Sequence, residues 1–385
     1  MSTPAPVLAT SPLPDNPAAP PNVVDRVSAF VKRFVFLKDP SLYRLLALWI
    51  IHTYVVDEFE YTGYIFAHSP EPESGKTRLL EVLEVLIENS SGILVSPSES
   101  VLFRTAQGHT QFLDEVDTWT NKDQLRSVLN AGYQHSGQVQ RMTEKKGNHK
   151  GYEVQKFSVF APRALSGIGV HILPPATRSR TFPVEMVRQT PAERREKFRK
   201  RKIRPEAQQL INEIKTWATE HKAAVAARYE GEFSYLDRFG DRTADVSEPL
   251  AAILEVAYAS SPLREAALLD LIESIARCRK EKGESVKAHR ILSALNRLAG
   301  AENPVVGSPP ELAERCGKYD VECSEYEVSQ VLREYGFEAK SIRREGESRK
   351  RYTLSHDELT GITARYLGGN EECESLAASI GLATA

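Results

Sequence analysis

Cysteine is scarce in this chain. Its four residues (Cys278, Cys316, Cys323, Cys373) are scattered and form no Cys-x-x-Cys pair. That pattern excludes a zinc knuckle and a disulfide framework, and it sets a reducing cytoplasm as the expected compartment. Long apolar runs are missing too. The longest candidate, Leu45 to Val56, is interrupted by His52 and is too short to span a bilayer, so no membrane partner is expected. The N-terminal segment has neither the basic stretch nor the apolar core of a signal peptide, so export is not expected. There is no excess of one charge: 50 Lys and Arg stand against 52 Asp and Glu, a net of −2, which excludes a uniformly basic coat for nucleic acid. No internal repeat is present. What remains, 41% apolar and 26% charged residues, is the composition of a globular protein long enough for two or three domains.

Charge is nonetheless uneven. Eight of the eleven residues from Arg194 to Arg204 are basic, as are six of the twelve from Lys340 to Arg351. Each patch is either a solvated face or a phosphate contact. Residues 1–22, rich in Pro and Ala, read as a disordered tail. Residues 23–60 show helical spacing (Val27, Phe30, Val31, Phe34, then Leu42, Leu45, Leu46, Trp49) and form a helical lead-in. From 61 to 190, strand-like runs at 62–67, 92–95, 110–114, 157–161 and 181–187 alternate with helical runs at 76–89, 98–106 and 121–135. That alternation predicts an α/β core, a mainly parallel sheet covered by helices. Within it, 138–156 reads as a hairpin with a basic tip. A helical region follows at 191–284. Residues 285–367 place helices before two short basic strands, a winged-helix-like order with 324–335 as its recognition helix, and 368–385 form a second flexible tail.

The chemistry concentrates at Ser69-Pro70-Glu71-Pro72-Glu73-Ser74-Gly75-Lys76-Thr77, between a strand-like run and a helical one. Strand, turn, Gly-Lys-Thr and helix make a P-loop, whose backbone N–H groups and helix N-terminus hold phosphates. Ser74, Gly75, Lys76 and Thr77 are the candidate nucleotide-binding residues. Pro70 and Glu73 stand where glycine is usual, and Glu73 adds negative charge. Downstream, Thr110-Gln111-Phe112-Leu113-Asp114-Glu115 is a strand ending in two carboxylates. ATP hydrolysis needs this pair of motifs. Lys76 neutralises phosphate charge, Thr77 and Asp114 hold Mg²⁺, and Glu115 polarises the attacking water. The plainer alternative is a helix capped by Ser74 or Thr77 beside an acidic turn.

The stretch Ser69 to Leu83 resembles a family of P-loop proteins from bacterial chromosomes, prophages and integrative elements, many fused to primases and most uncharacterised. Further agreement comes from Leu48-Trp49-Ile50-Ile51-His52-Thr53, Leu113-Asp114-Glu115-Val116-Asp117-Thr118, Leu129-Asn130-Ala131-Gly132-Tyr133, Ala164-Leu165-Ser166-Gly167-Ile168-Gly169 and Leu332-Arg333-Glu334-Tyr335-Gly336-Phe337. The family is similar to AAA+ ATPases of the helicase type. The resemblance implies an AAA+-like core with a helical lid, ATP and Mg²⁺ as cofactors, and a homo-oligomeric ring, with six subunits as one option. It also implies ATP-driven helicase or translocase work on DNA in the replication or maintenance of a mobile element. No primase module is fused here, so a replication role calls for a primase or other replication proteins as partners.

In the family's Leu-Pro-Asp-Thr-Leu-x-Asp-Arg pattern the last arginine matches Arg180, although Pro175 and Ser179 replace the two Asp. The resemblance makes Arg180, with Arg178 as fallback, a candidate for reaching a neighbouring subunit's γ-phosphate. A structural arginine is the alternative. Ser166 is a candidate for orienting the water, or a turn serine. The hairpin falls where helicase-type rings contact DNA, making Lys145, Lys146, His149 and Lys150 candidate phosphate contacts; Arg343, Arg344, Lys350 and Arg351 flank the proposed wing. The competing reading is a non-hydrolysing, nucleotide-gated switch that binds DNA or protein.

Overall fold

The computed structural model describes residues 22–119, 122–144, 152–169, 172–282, 285–344 and 347–363. Contacts divide the chain into two compact units, Met1–Cys278 and Arg279–Ala385.

The first unit opens with α1 (Val23–Phe34) and α2 (Ser41–His52). Asn22 caps α1 by accepting the Asp25 N–H at 3.0 Å, and Val27, Phe30, Val31 and Phe34 line one buried stripe of it. In α2 every residue but Arg44 is buried, so this helix runs through the interior. Next come β1 (Tyr64–Ser69), α3 (Lys76–Glu84), β2 (Ser90–Val95), α4 (Glu99–Arg104), β3 (Thr110–Asp114) and α5 (Lys122–Ala131). The strands β4 (Gln138–Glu144) and β5 (Tyr152–Ser158), β6 (Arg163–Ile168), α6 (Pro175–Arg178) and β7 (Thr181–Glu185) follow. Five strands form one sheet in the order β2-β3-β6-β1-β7, with every neighbouring pair parallel. All five C-terminal ends therefore lie on one edge. The fold is α/β, a parallel sheet flanked by helices and compatible with a P-loop-like core.

Alternation along β1 divides two cores. Ile65 and Ala67 join Leu45, Ile50 and Phe182, together with buried residues of α7 (Lys200–Tyr229), α9 (Asp241–Ala257) and α10 (Arg264–Lys282); α8 (Ser234–Asp237) lies between α7 and α9. Tyr64 and Phe66 join Leu113, Leu165, Leu102, Val128 and Leu129 on the other face. The segments that composition sets apart as lead-in and helical region thus share one core with the sheet.

One expectation is corrected. The strand anticipated at 157–161 is replaced in the sheet by Arg163–Ile168. Residues up to Ser158 pair instead with β4, antiparallel from Gln138↔Ser158 to Glu144↔Tyr152. Arg163 hides the true strand, because an arginine reads as surface. Here it is fully buried and donates to Gln111 Oε1 and Tyr64 Oη at 2.8 Å and to the Val159 carbonyl at 2.7 Å.

β7 is an edge strand and carries Pro183. The Arg180 carbonyl and the Met186 N–H bond to β1, so by alternation the odd positions between them face away from it. Pro183 therefore removes no ladder bond, and its carbonyl accepts from Cys278 Sγ at 3.5 Å.

The second unit contains α11 (Ser285–Ala301), β8 (Val305–Gly307), α12 (Pro309–Cys316), α13 (Glu325–Glu334), β9 (Lys340–Arg344) and β10 (Glu347–Leu354). Its antiparallel sheet has the order β8-β10-β9. Capping boxes start α12 (Ser308, Glu311) and α13 (Ser324, Glu327). Leu292, Leu295, Leu312, Val328, Leu332 and Leu354 fill its own core. The strand β8 lies outside the two that the basic pattern suggested. Among the described residues of either unit, no helix is long and apolar enough to cross a membrane.

Candidate functional site

β1 ends at Ser69, and the chain turns through Pro70–Gly75 into α3. Two residues of this turn are left-handed, Glu73 at φ 59° and Gly75 at φ 93°. Gly75 is required by its backbone angle rather than by crowding, since a Cβ there would meet only Met186 Cε at 3.6 Å. The Lys76 ammonium folds back into the turn. It donates to Ser69 Oγ at 2.6 Å, the Glu71 carbonyl at 3.1 Å and Ser74 Oγ at 3.4 Å. Burial lowers the Lys76 pKa from its ordinary value, and the nearby Asp117 and Asp114 carboxylates oppose that shift.

Parallel pairing brings the next residues to the same edge. Leu113 is in register with Leu165 across β3 and β6, and Ala67 with Ser166 across β1 and β6. Asp114, at the end of β3, is consequently flanked by the α3 N-terminus on one side and Ser166 on the other. Thr77 Oγ1 donates to Asp114 Oδ2 at 2.8 Å. Asp114 Oδ1 accepts from the fully buried Ser166 hydroxyl and from the Glu115 N–H at 3.0 Å. Glu115 follows in a left-handed turn (φ 55°) with its side chain exposed, and Asp117 Oδ1 accepts the Ile168 N–H at 3.0 Å. Lys76, Thr77, Asp114, Glu115 and Ser166 thus form one cluster at the C-terminal edge of the sheet, where open α/β sheets bind ligands.

A cavity of about 460 Å³ adjoins the loop, lined by Ser74 to Arg78 and by Gln189, Arg195 and Phe198. Gln189 and Phe198 carry no signal of a site in the sequence, and Arg195 stands out there only as part of the basic run. There the Arg195 guanidinium lies 5.5 Å from the Phe36 ring centre, Phe198 packs edge-on against Phe34 at 5.2 Å, and Lys200 pairs with Glu84 at 2.5 Å. Part of that run, Arg195 to Phe198, thus lines the cavity beside the loop, whereas Arg194, Arg199, Arg201, Lys202 and Arg204 are exposed.

Arg180 turns inward. It is 8% exposed, donates to the Ala176 carbonyl and to Asn130 Oδ1, and lies 4.4 Å from the Tyr133 ring centre. Burial and the nearby Arg242 lower its pKa. Arg178 is buried as well. In this conformation neither guanidinium faces outward, as reaching a neighbouring subunit would require.

Lys145, Lys146, His149 and Lys150 lie outside the described residues. The hairpin strands bounding them pack Val139 and Phe157 into the core shared with α4 and α5 and expose Met142, Tyr152 and Val154. In the second unit, the backbones of Arg343 and Arg344 pair with Ser348 and Glu347, and Lys350 is exposed. Arg351 is 6% exposed and donates to Glu311 Oε2 at 3.0 Å, so its charge faces inward.

A family model described as "Protein of unknown function (DUF3631)" matches residues 185–366, which begin after the phosphate loop. No curated protein matches the chain. Among solved structures, the chain is similar to one described as "SCCmec type IV Cch - active helicase", at 11% identity and a TM-score of 0.39, over 82% of this chain and 68% of that one. It is also similar to the A-form apo structure of the NrS-1 C-terminal region, at 14% identity and a TM-score of 0.38, over 86% of this chain and 74% of that one.

Proposed function

We propose that this chain is an ATP-hydrolysing P-loop protein of the AAA+ type, acting on DNA as a helicase or translocase for a mobile element. The observation that carries the proposal is the hydrogen-bonded set Thr77–Asp114–Ser166 beside the Gly-Lys-Thr turn.

The residues fit ATP and Mg²⁺. A hydroxyl and a carboxylate, Thr77 Oγ1 and Asp114, offer the hard oxygen ligands that Mg²⁺ prefers. Bound Mg²⁺ supplies positive charge that offsets the negative charge of the phosphates. The chain's own residues do the remainder. The left-handed turn at Gly75 lets backbone N–H groups approach an anion. Lys76, whose donors rest on the loop's own oxygens, is free to exchange them for phosphate. Ser166 holds the Asp114 carboxylate in place. Glu115 orients water and accepts its proton at the carboxylate.

DNA contact is proposed for the hairpin lysines Lys145, Lys146 and Lys150 with His149, and for the exposed Lys350 with Arg343 and Arg344. The assembly is proposed to be a homo-oligomeric ring, working with separate replication proteins. A second reading, a nucleotide-gated switch without turnover, is favoured by Glu71 and Glu73 in the loop, whose charge opposes phosphate.

ATP turnover measured with and without DNA tests both. Lys76→Ala and Glu115→Gln should each lower turnover by at least about 100-fold, the scale of losing a group that stabilises the transition state. Unchanged turnover in both variants sinks the enzymatic reading, and DNA-stimulated turnover excludes the switch. Particle mass in a non-hydrolysed ATP analogue tests the ring, which a monomer at every concentration would refute.

A further inference from the structure

The phosphate loop holds two carboxylates where an anion must enter, and its own lysine is engaged with loop oxygens. The countercharge comes from elsewhere in the chain. Arg188 lies just beyond β7, the neighbour of β1, and the Met186 N–H donates to the His68 carbonyl at 2.7 Å. From this fixed origin the Arg188 guanidinium crosses the loop. Its Nε and Nη2 both donate to the Pro72 carbonyl, at 3.4 and 3.3 Å. The same group lies 3.8 Å from the Glu71 carboxylate and 3.9 Å from that of Glu73.

We infer that Arg188 is a positioning residue for the proposed nucleotide site. It pins the Pro70–Glu73 turn through one carbonyl and offsets the two acids, so that a polyphosphate can approach a loop that carries Pro70 and Glu73 where glycine is usual. The inference rests on the nucleotide reading. Each ion pair is exposed and long, so neither is a strong bond by itself. A polyphosphate carries several charges, however, and responds to the summed field of the loop within about one Debye length of 8–10 Å. With Arg188 in place, the guanidinium cancels part of the field of Glu71 and Glu73. Without it, both carboxylates face the incoming phosphates and the turn loses its outer tether.

The test is a double-mutant cycle on the full chain, read as the Kd of a fluorescent ATP analogue with Mg²⁺ at fixed salt. Arg188→Ala should weaken binding about tenfold, the scale of losing charge-assisted contacts. Turnover at saturating ATP should change far less. Glu71→Gln/Glu73→Gln alone should tighten binding about threefold, since opposing charge is removed. In that background Arg188→Ala should cost only about threefold, because little charge remains to offset. Arg188→Lys should recover part of the affinity through its charge. An Arg188→Ala affinity within about twofold of wild type overturns the inference, as does an equal loss in both backgrounds. Should Arg188→Ala fail to fold, unchanged affinity in the Glu71→Gln/Glu73→Gln variant overturns it independently. A wild-type chain that binds no analogue overturns the nucleotide reading, and this inference with it.

Discussion

His52 closes α2 with both ring nitrogens buried and without hydrogen-bond partners among the described residues, its ring stacked on Phe59 at 5.3 Å. Burial pushes its pKa down from 6.5 to about 3, so the fold holds the neutral form. The unfolded chain takes up the proton near 6.5. The stability tied to this group is therefore complete above that pH and is lost as pH falls toward 3. Denaturant titrations should show the wild type losing up to about 2 kcal/mol between pH 6.5 and 5 beyond what His52→Phe loses. Parallel pH profiles for the two proteins would refute the assignment. At this scale the sequence was legible where strand and turn signals bracket a motif: Gly-Lys-Thr and the strand-end Asp114 meet in the structure through the Thr77–Asp114 hydrogen bond. It was opaque where a charge is buried. Arg163 and Arg180 look like surface residues until their acceptors are known, and those acceptors include amide and phenol groups far away in the chain besides carbonyls four residues back. Arg188 was invisible for the same reason, since its contacts with the loop span more than a hundred residues.

Elements with a clear period were readable. The stripe of α1 and the apolar run of β1 need no partner to be recognised. The β4–β5 pair shows how burial then divides an element's two faces. Val139 belongs to the core with Leu102 and Phe103, whereas Met142 on the opposite face is 64% exposed. Val139→Ala should destabilise the protein by about 1–2 kcal/mol through lost burial and a cavity. Met142→Ala should stay within about 0.5 kcal/mol. Comparable losses for both would mean that the outer face is also packed. The missed strand β6 marks the limit of periodicity: its six residues include a buried Arg163 and Gly167, and only the ladder on either side identifies it.

The chain as a whole has separate cores in its two units, with Leu45, Ile214 and Leu250 in the first and Leu292, Leu312 and Leu332 in the second. Separate cores melt as separate cooperative units. Calorimetry should resolve two transitions, and Leu292→Ala should lower only one of them, by about 2–5 kcal/mol of unit stability. A single transition that moves as one would show that the units fold together. Composition predicted more than one domain but placed the boundary by local helical pattern. The contact boundary at Cys278 falls inside α10, a continuous helix, which no local signal announces.

Pro183 has a consequence for how copies of this chain can meet. A strand edge can recruit other strands through its row of outward amides; in β7, whose Thr181–Val184 are buried, the middle of that row also has no amide to offer. The carbonyl beside the gap is already taken by the Cys278 thiol. Extension of the sheet across the β7 edge, whether by a second subunit, an extended peptide or a misfolded chain, is therefore blocked at its centre. Contacts between copies of this chain would therefore form at surfaces other than the β7 edge.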